Sequence, residues 1–164
     1  LSNNQQSTIK LIKITELFMK CLKKFFFAVF CCFFLLGCSK SEDNTMSAKN
    51  AEALLSAGQV TLIDIRRPEE WRQTGIARGA SKVNMLHPQG MSGFAQEVAL
   101  AVNNDLDAPI VLICRTGSRT ARAAMVLTEM GFTNVKHVPE GMIGSSAGRG
   151  WVEQGLPIDP CKNC

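Results

Sequence analysis

Pro109-Ile110-Val111-Leu112-Ile113 contains no polar side chain, and the chain turns polar soon after Cys114. Such a run is too short for a helix and suits a strand covered on both faces. Strands of that kind belong to parallel sheets, whose crossover helices bury them from two sides. This segment predicts an α/β domain with a mostly parallel central sheet and helices on both faces. The rest of the pattern agrees. Residues 50–58 read as a short helix with an asparagine or serine start and a stop at Gly58. Val60-Thr61-Leu62-Ile63-Asp64-Ile65 suits a strand, and Pro68-Glu69-Glu70-Trp71 opens a helical turn with proline at an early position. A weak strand is expected over residues 82–85, a helix over 93–100 and a helix over 119–130 stopped by Gly131. A strand over 134–138 and a last helix before Gly155 complete the alternation.

Ligands bind at the carboxyl ends of the strands in such sheets. That is where Cys114-Arg115-Thr116-Gly117-Ser118-Arg119-Thr120 stands, between the most apolar strand and an alanine-rich helix. The thiolate is the reactive form of cysteine, and a helix N-terminus and nearby cations such as Arg115 and Arg119 favour it. The alternative is a cysteine used as a small buried hydrophobe. Its polar neighbours argue against that. Successive amides from Arg115 to Arg119, including that of Thr116, can form an anion-holding nest, and Gly117 permits the turn this needs. Ser118 and Thr120 can donate hydroxyl hydrogen bonds, or Thr120 can serve the helix start. Arg119 can equally be a solvated or salt-bridged first-turn residue. Asp64, Arg66 and Glu70 read as structural: Arg66 and Glu70 are spaced to pair, and Asp64 to cap or brace a loop. His87 and His137 read as structural or exposed, so no metal site and no cofactor is expected.

Charge excludes one class of partner. The formal charge of +4 lies entirely in residues 1–37, where five lysines face Glu16 alone; the remainder has 13 basic and 13 acidic residues. No basic stripe is left to argue for nucleic acid. Met19-Lys20-Cys21-Leu22-Lys23-Lys24 followed by the apolar residues 25–36 has the order of a secretory signal and is too short to span a membrane. An uncleaved anchor is the alternative. Leu35-Leu36-Gly37-Cys38 resembles the lipobox of bacterial lipoproteins, which implies cleavage before Cys38 and a lipid on its sulfur. Ser39 after it implies the outer membrane of a Gram-negative cell, facing the periplasm. The expected layout is an upstream extension over 1–18 (or an amphipathic prefix), a signal peptide over 19–37 and a polar tether over 38–46. A folded domain over 47–160 and a C-x-x-C tail over 161–164 follow.

The seven cysteines sort accordingly. Cys21, Cys31 and Cys32 leave with the signal, and Cys38 carries the lipid. Cys114, Cys161 and Cys164 remain, and three thiols cannot all pair within one chain. Cys161 and Cys164 can be redox-active, metal-binding or a small structural disulfide; two ligands alone do not make a metal site. Exchange with Cys114 is a further possibility.

Residues 47–160 resemble the rhodanese family in four places. Asp64-Ile65-Arg66-Arg67-Pro68-Glu69-Glu70-Trp71 is similar to its D-[VI]-R-x-P-x-E-[FYW] signature. Gly75-Ile76-Ala77-Arg78-Gly79-Ala80 is similar to G-H-I-x-G-A without the histidine, and residues 114–120 resemble C-R-x-G-x-R-[ST]. Gly141, Trp151, Gly155 and Pro157 resemble the closing motif, with a longer insertion over 144–150 that implies a different rim. The resemblance implies a sulfurtransferase in which Cys114 takes sulfur from thiosulfate or a persulfide and passes it to a thiol or cyanide. Residues 115–120 would hold the anion, and the partners would be a small anionic donor, a thiol acceptor and the membrane. The rivals are a non-catalytic sulfur carrier or binding module, and a phosphatase or arsenate reductase. The last two use Cys-x5-Arg, whereas Arg119 closes this loop at Cys-x4-Arg.

Overall fold

The computed structural model describes residues 44–164. The extension over 1–18, the signal over 19–37, Cys38 and most of the tether lie outside the described residues.

The expected alternation is present. Helix α1 (Ala48–Ser56) starts at Ser47, whose hydroxyl accepts from the Asn50 amide at 3.3 Å. Strand β1 (Thr61–Asp64) leads into α2 (Pro68–Thr74), which has its proline in the first turn. Two short strands follow, β2 (Ile76–Ala77) and β3 (Ser81–Lys82), then α3 (Gly90–Ala101). Strand β4 (Ile110–Ile113) feeds α4 (Ser118–Glu129), and β5 (Val135–His137) and β6 (Ile158–Asp159) close the chain. The main sheet has the order β3-β1-β4-β5 and is parallel throughout; β2 and β6 form a separate antiparallel pair.

Alternation along the strands sorts the core into two layers. Ile63, Ile65, Ile110, Leu112 and Cys114 pack with Phe94 and Val98 of α3 and with Ala123 and Leu127 of α4. Leu62, Val111 and Ile113 pack on the opposite side with Ala48 and Ala51 of α1, Ala77 of β2, Met142 and Trp151. All of β4 is at most 1% exposed. Each such aliphatic side chain contributes about 1.5–3 kcal/mol relative to exposure.

Three expectations change. The last helix before Gly155 is absent: residues 141–155 fold as turns. Gly141 and Gly144 have φ of +67° and +97°, which a helix cannot use. The weak strand pairs at Ser81 and Lys82, although the Val83 and Met85 amides still reach Asp64 O and Ile65 O at 3.1 and 3.3 Å. The tether ends earlier than Met46. His137 donates to Asn44 O at 2.8 Å and accepts from the Met46 amide at 2.9 Å, so these residues line the edge of β5.

Candidate active site

Backbone geometry at the tip of β4 builds the loop. Gly117 caps α4 with φ +82°, and a Cβ there would lie 2.0 Å from Pro139 O. Only glycine meets both the left-handed conformation and that approach. The carbonyls of Cys114 and Arg115 accept from the Met142 and Ile143 amides at 2.9 and 3.1 Å. Those contacts need Gly141, whose Cβ would stand 2.5 Å from Arg115 O. Among the described residues, the amides from Arg115 through Thr120 bond to no backbone carbonyl. The loop therefore offers a run of uncommitted N–H groups beside the start of α4, an arrangement that favours anions.

The side chains divide by depth. Cys114 is fully buried and is the free cysteine among the described residues. This corrects the expectation that polar neighbours would keep the thiol from burial. Arg115, Thr116 and Ser118 are exposed, but the Cys114 side chain points beneath them into the layer formed with α3 and α4. Its Sγ lies 3.9 Å from Thr120 Oγ1, a weak contact with the thiol as donor. Thr120 donates its own proton to Gly117 O at 2.7 Å, so it serves the helix start, and His137 Nδ1 stands 3.3 Å from Thr120 Oγ1. Arg115 borders a recess of about 30 Å³ with Arg66, Glu70, Gln73, Thr74 and Ile143, room for about one water.

Arg119 is salt-bridged, and its partner is Glu70. Both guanidinium nitrogens donate to the carboxylate at 2.7 Å, a bidentate pair between the first turns of α4 and α2. Glu70 Oε2 also accepts from the Arg67 amide at 3.1 Å. The Arg66–Glu70 pairing expected from spacing is therefore corrected. Arg66 meets only the Glu70 carbonyl, at 3.2 Å, and gives its charge to Asp64. The Arg119 hydrogen bonds hold the Glu70 carboxyl well down, from 4.5 to about 2; burial opposes them, and Arg67 and the charges of Arg119 and Arg66 assist. The Arg119 guanidinium is raised above its ordinary value, first by hydrogen bonding to Glu70 against the effect of burial, then by the Glu70 charge and the Cys114 sulfur. Sequence reasoning missed Glu70 as the anchor of this arginine and His137 as a neighbour of Thr120.

A depressed carboxyl stabilises the fold above its unfolded value, and that contribution is lost as pH falls through its folded value. For Glu70 it is fully present above about pH 5 and gone near pH 2. Glu70→Gln is expected to cost about 3 kcal/mol at pH 7. Urea unfolding of both proteins at pH 7 and pH 3 should show the gap narrowing with acid. A gap independent of pH contradicts the pairing.

Asp64 and Arg66 are 0% and 1% exposed. Arg66 Nε reaches Asp64 Oδ1 and Oδ2 at 2.9 and 3.0 Å, and its NH2 reaches Oδ2 at 2.6 Å. The remaining donors go to Glu70 O, Thr74 Oγ1 and Gly75 O at 3.2, 2.6 and 2.7 Å. Asp64 braces the neighbouring segment, with Arg66 rather than a loop backbone as its main partner: the pair fastens the end of β1 to α2 and so fixes the helix that carries Glu70.

The tail is a disulfide, Cys161–Cys164. It follows β6, whose Ile158 packs with the α1 layer, whereas Cys114 belongs to the opposite one. The two are not brought together. His87 lies 3.4 Å from Glu97 at a partly exposed position.

Comparison with known proteins agrees with the fold. Residues 47–145 match the model of the Rhodanese-like domain. An uncharacterized protein of Rickettsia conorii is 33% identical over 119 residues, 71% of this chain and 97% of its own length. Thiosulfate sulfurtransferase 16, a chloroplastic protein of Arabidopsis thaliana, is 32% identical over 120 residues, 70% of this chain and 91% of that one. The solution structure of the polysulfide-sulfur transferase homodimer of Wolinella succinogenes superposes with a TM-score of 0.55 at 26% identity, covering 82% of this chain and 92% of that one.

Proposed function

This chain belongs to the rhodanese-like family, and on that premise we propose that it is a sulfurtransferase working through a persulfide on Cys114. The observation that carries the reading is the placement of one free cysteine at a strand tip, in a loop whose amides are uncommitted. In the first step the Cys114 thiolate attacks the outer sulfur of thiosulfate. The S–S bond of the donor breaks, its electron pair leaves with sulfite, and Cys114 keeps the sulfur as a persulfide anion. An acceptor thiolate, or cyanide, then attacks that outer sulfur and restores the Cys114 thiolate, a two-step covalent cycle.

The amides of residues 115–120 and the start of α4 stabilise the persulfide anion. Arg119 adds a charge held in place by Glu70, and exposed Arg115 draws the anionic donor in. Cys114 is fully buried, so the loop opens to admit the donor. The leader's charge and apolar pattern support an envelope location, with the domain tethered through lipidated Cys38 and its acceptor outside the cytoplasm.

The competing chemistry is phosphate ester hydrolysis. The loop reaches its arginine at Cys-x4-Arg, one residue short of the ring that encircles a tetrahedral oxyanion. Thiosulfate with cyanide and an aryl phosphate are to be assayed side by side. Thiocyanate formation without phosphate release is expected; Cys114-dependent phosphate release without thiocyanate overturns the reading.

A further inference from the structure

We propose that Cys161 and Cys164 form a thiol–disulfide exchange site independent of Cys114, in which Lys82 makes Cys164 the leaving thiolate and Cys161 the sulfur that is attacked. Lys82 Nζ stands 3.3 Å from Cys164 Sγ and 3.7 Å from Cys161 Sγ. No carboxylate among the described residues forms an ion pair with this ammonium; the nearby tail carboxylate of Asp159 is taken by Arg78 at 2.9 Å. The Arg72 guanidinium donates to the Cys164 backbone oxygen, which ties the tail to α2. Both cysteines are partly exposed, so a thiol can reach them.

A purely structural staple explains these features poorly. The bond joins residues only three apart, and closing so small a loop removes little entropy from the unfolded chain. An ammonium against both sulfurs does nothing for an inert bond. It does favour a thiolate, and exchange runs faster when the departing sulfur is the better-stabilised anion. Lys82 is nearer to Cys164, which sets the direction.

The partner is a thiol-bearing protein or small dithiol. Its thiolate attacks Cys161 Sγ, the Cys161–Cys164 bond breaks, and the electron pair stays on Cys164 beside Lys82. A second thiolate of the partner then attacks the partner sulfur of the mixed disulfide. The partner leaves with a new disulfide, oxidised by two electrons, and the tail is left as the dithiol. The reverse sequence reduces a partner disulfide. Nothing in this scheme uses Cys114, so a failure of thiosulfate turnover leaves it standing.

The test uses the full chain carrying Cys114→Ser, with glutathione as the probe. After brief reaction and acid quench, peptide mapping locates the glutathione. It is expected on Cys161 in preference to Cys164 by about 1.3- to 2.5-fold, the Coulomb difference between the two Lys82 distances at an effective dielectric of about 80 to 20. Lys82→Met, at an exposed position, should slow the reaction about three- to tenfold and erase much of the preference, the scale of one lost charge near 4 Å in water. Glutathione on Cys164, equal labelling, no reaction, or a rate indifferent to Lys82→Met each overturns the proposal.

Discussion

Cys114→Ser is expected to abolish sulfur transfer, lowering turnover with thiosulfate by at least about 10³-fold while the domain stays folded. The size follows from the role. Covalent catalysis needs an atom that forms a bond to the donor sulfur, and a hydroxyl at neutral pH is a far weaker nucleophile than a thiolate. The loop amides and Arg119 remain in the variant, so anion binding should persist while chemistry stops. Steady-state rates should therefore fall in kcat with little change in donor affinity. Stability changes by less than the loss of a large side chain, because serine fills nearly the same buried volume beside Thr120. Full turnover in Cys114→Ser would move the chemistry elsewhere.

Asp64→Ala is expected to destabilise the domain by about 3–5 kcal/mol, because it leaves the Arg66 guanidinium buried without its counter-charge. Arg66 is 1% exposed and cannot reach water without opening the junction of β1 and α2. Against a total stability of about 5–15 kcal/mol, this is a large fraction. Denaturant titration should show a much lower midpoint at an unchanged slope. The effect should also reach the loop, since Arg66 holds Glu70 O and Gly75 O, and Glu70 positions Arg119. A loss below about 1 kcal/mol is incompatible with the brace.

The parts of the fold legible in the sequence were those coded by local pattern. β4 stood out because it is apolar at every position, and α4 because good helix formers run to Gly131. Cys114 followed from its place after β4. Which layer the thiol enters was less legible: strand alternation puts it with Ile63 and Leu112, while its polar neighbours suggested a shallower site. Pairings across the sequence were not legible at all. Glu70 and Arg119 are 49 residues apart, and Lys82 and Cys164 are 82 apart; only the tertiary fold brings each pair together, through the parallel β1–β4 neighbours for the first and, for the second, with β6 paired antiparallel to β2. Four-residue spacing favoured Arg66 with Glu70, but a fully buried guanidinium takes the carboxylate it can hold with several nitrogens, and that is Asp64. The expected last helix failed because residues 141–155 are governed by glycines at positive φ and by the approach of Gly150 to the Gly144 amide, 2.1 Å from an added Cβ.

The central claim is that Cys114 carries the transferred sulfur. Peptide mapping by mass spectrometry after exposure of the protein to thiosulfate tests it most directly. One added sulfur atom on the Cys114 peptide, removed by cyanide or a thiol, is the predicted result. An unmodified Cys114 peptide, with sulfur elsewhere or nowhere, would contradict it.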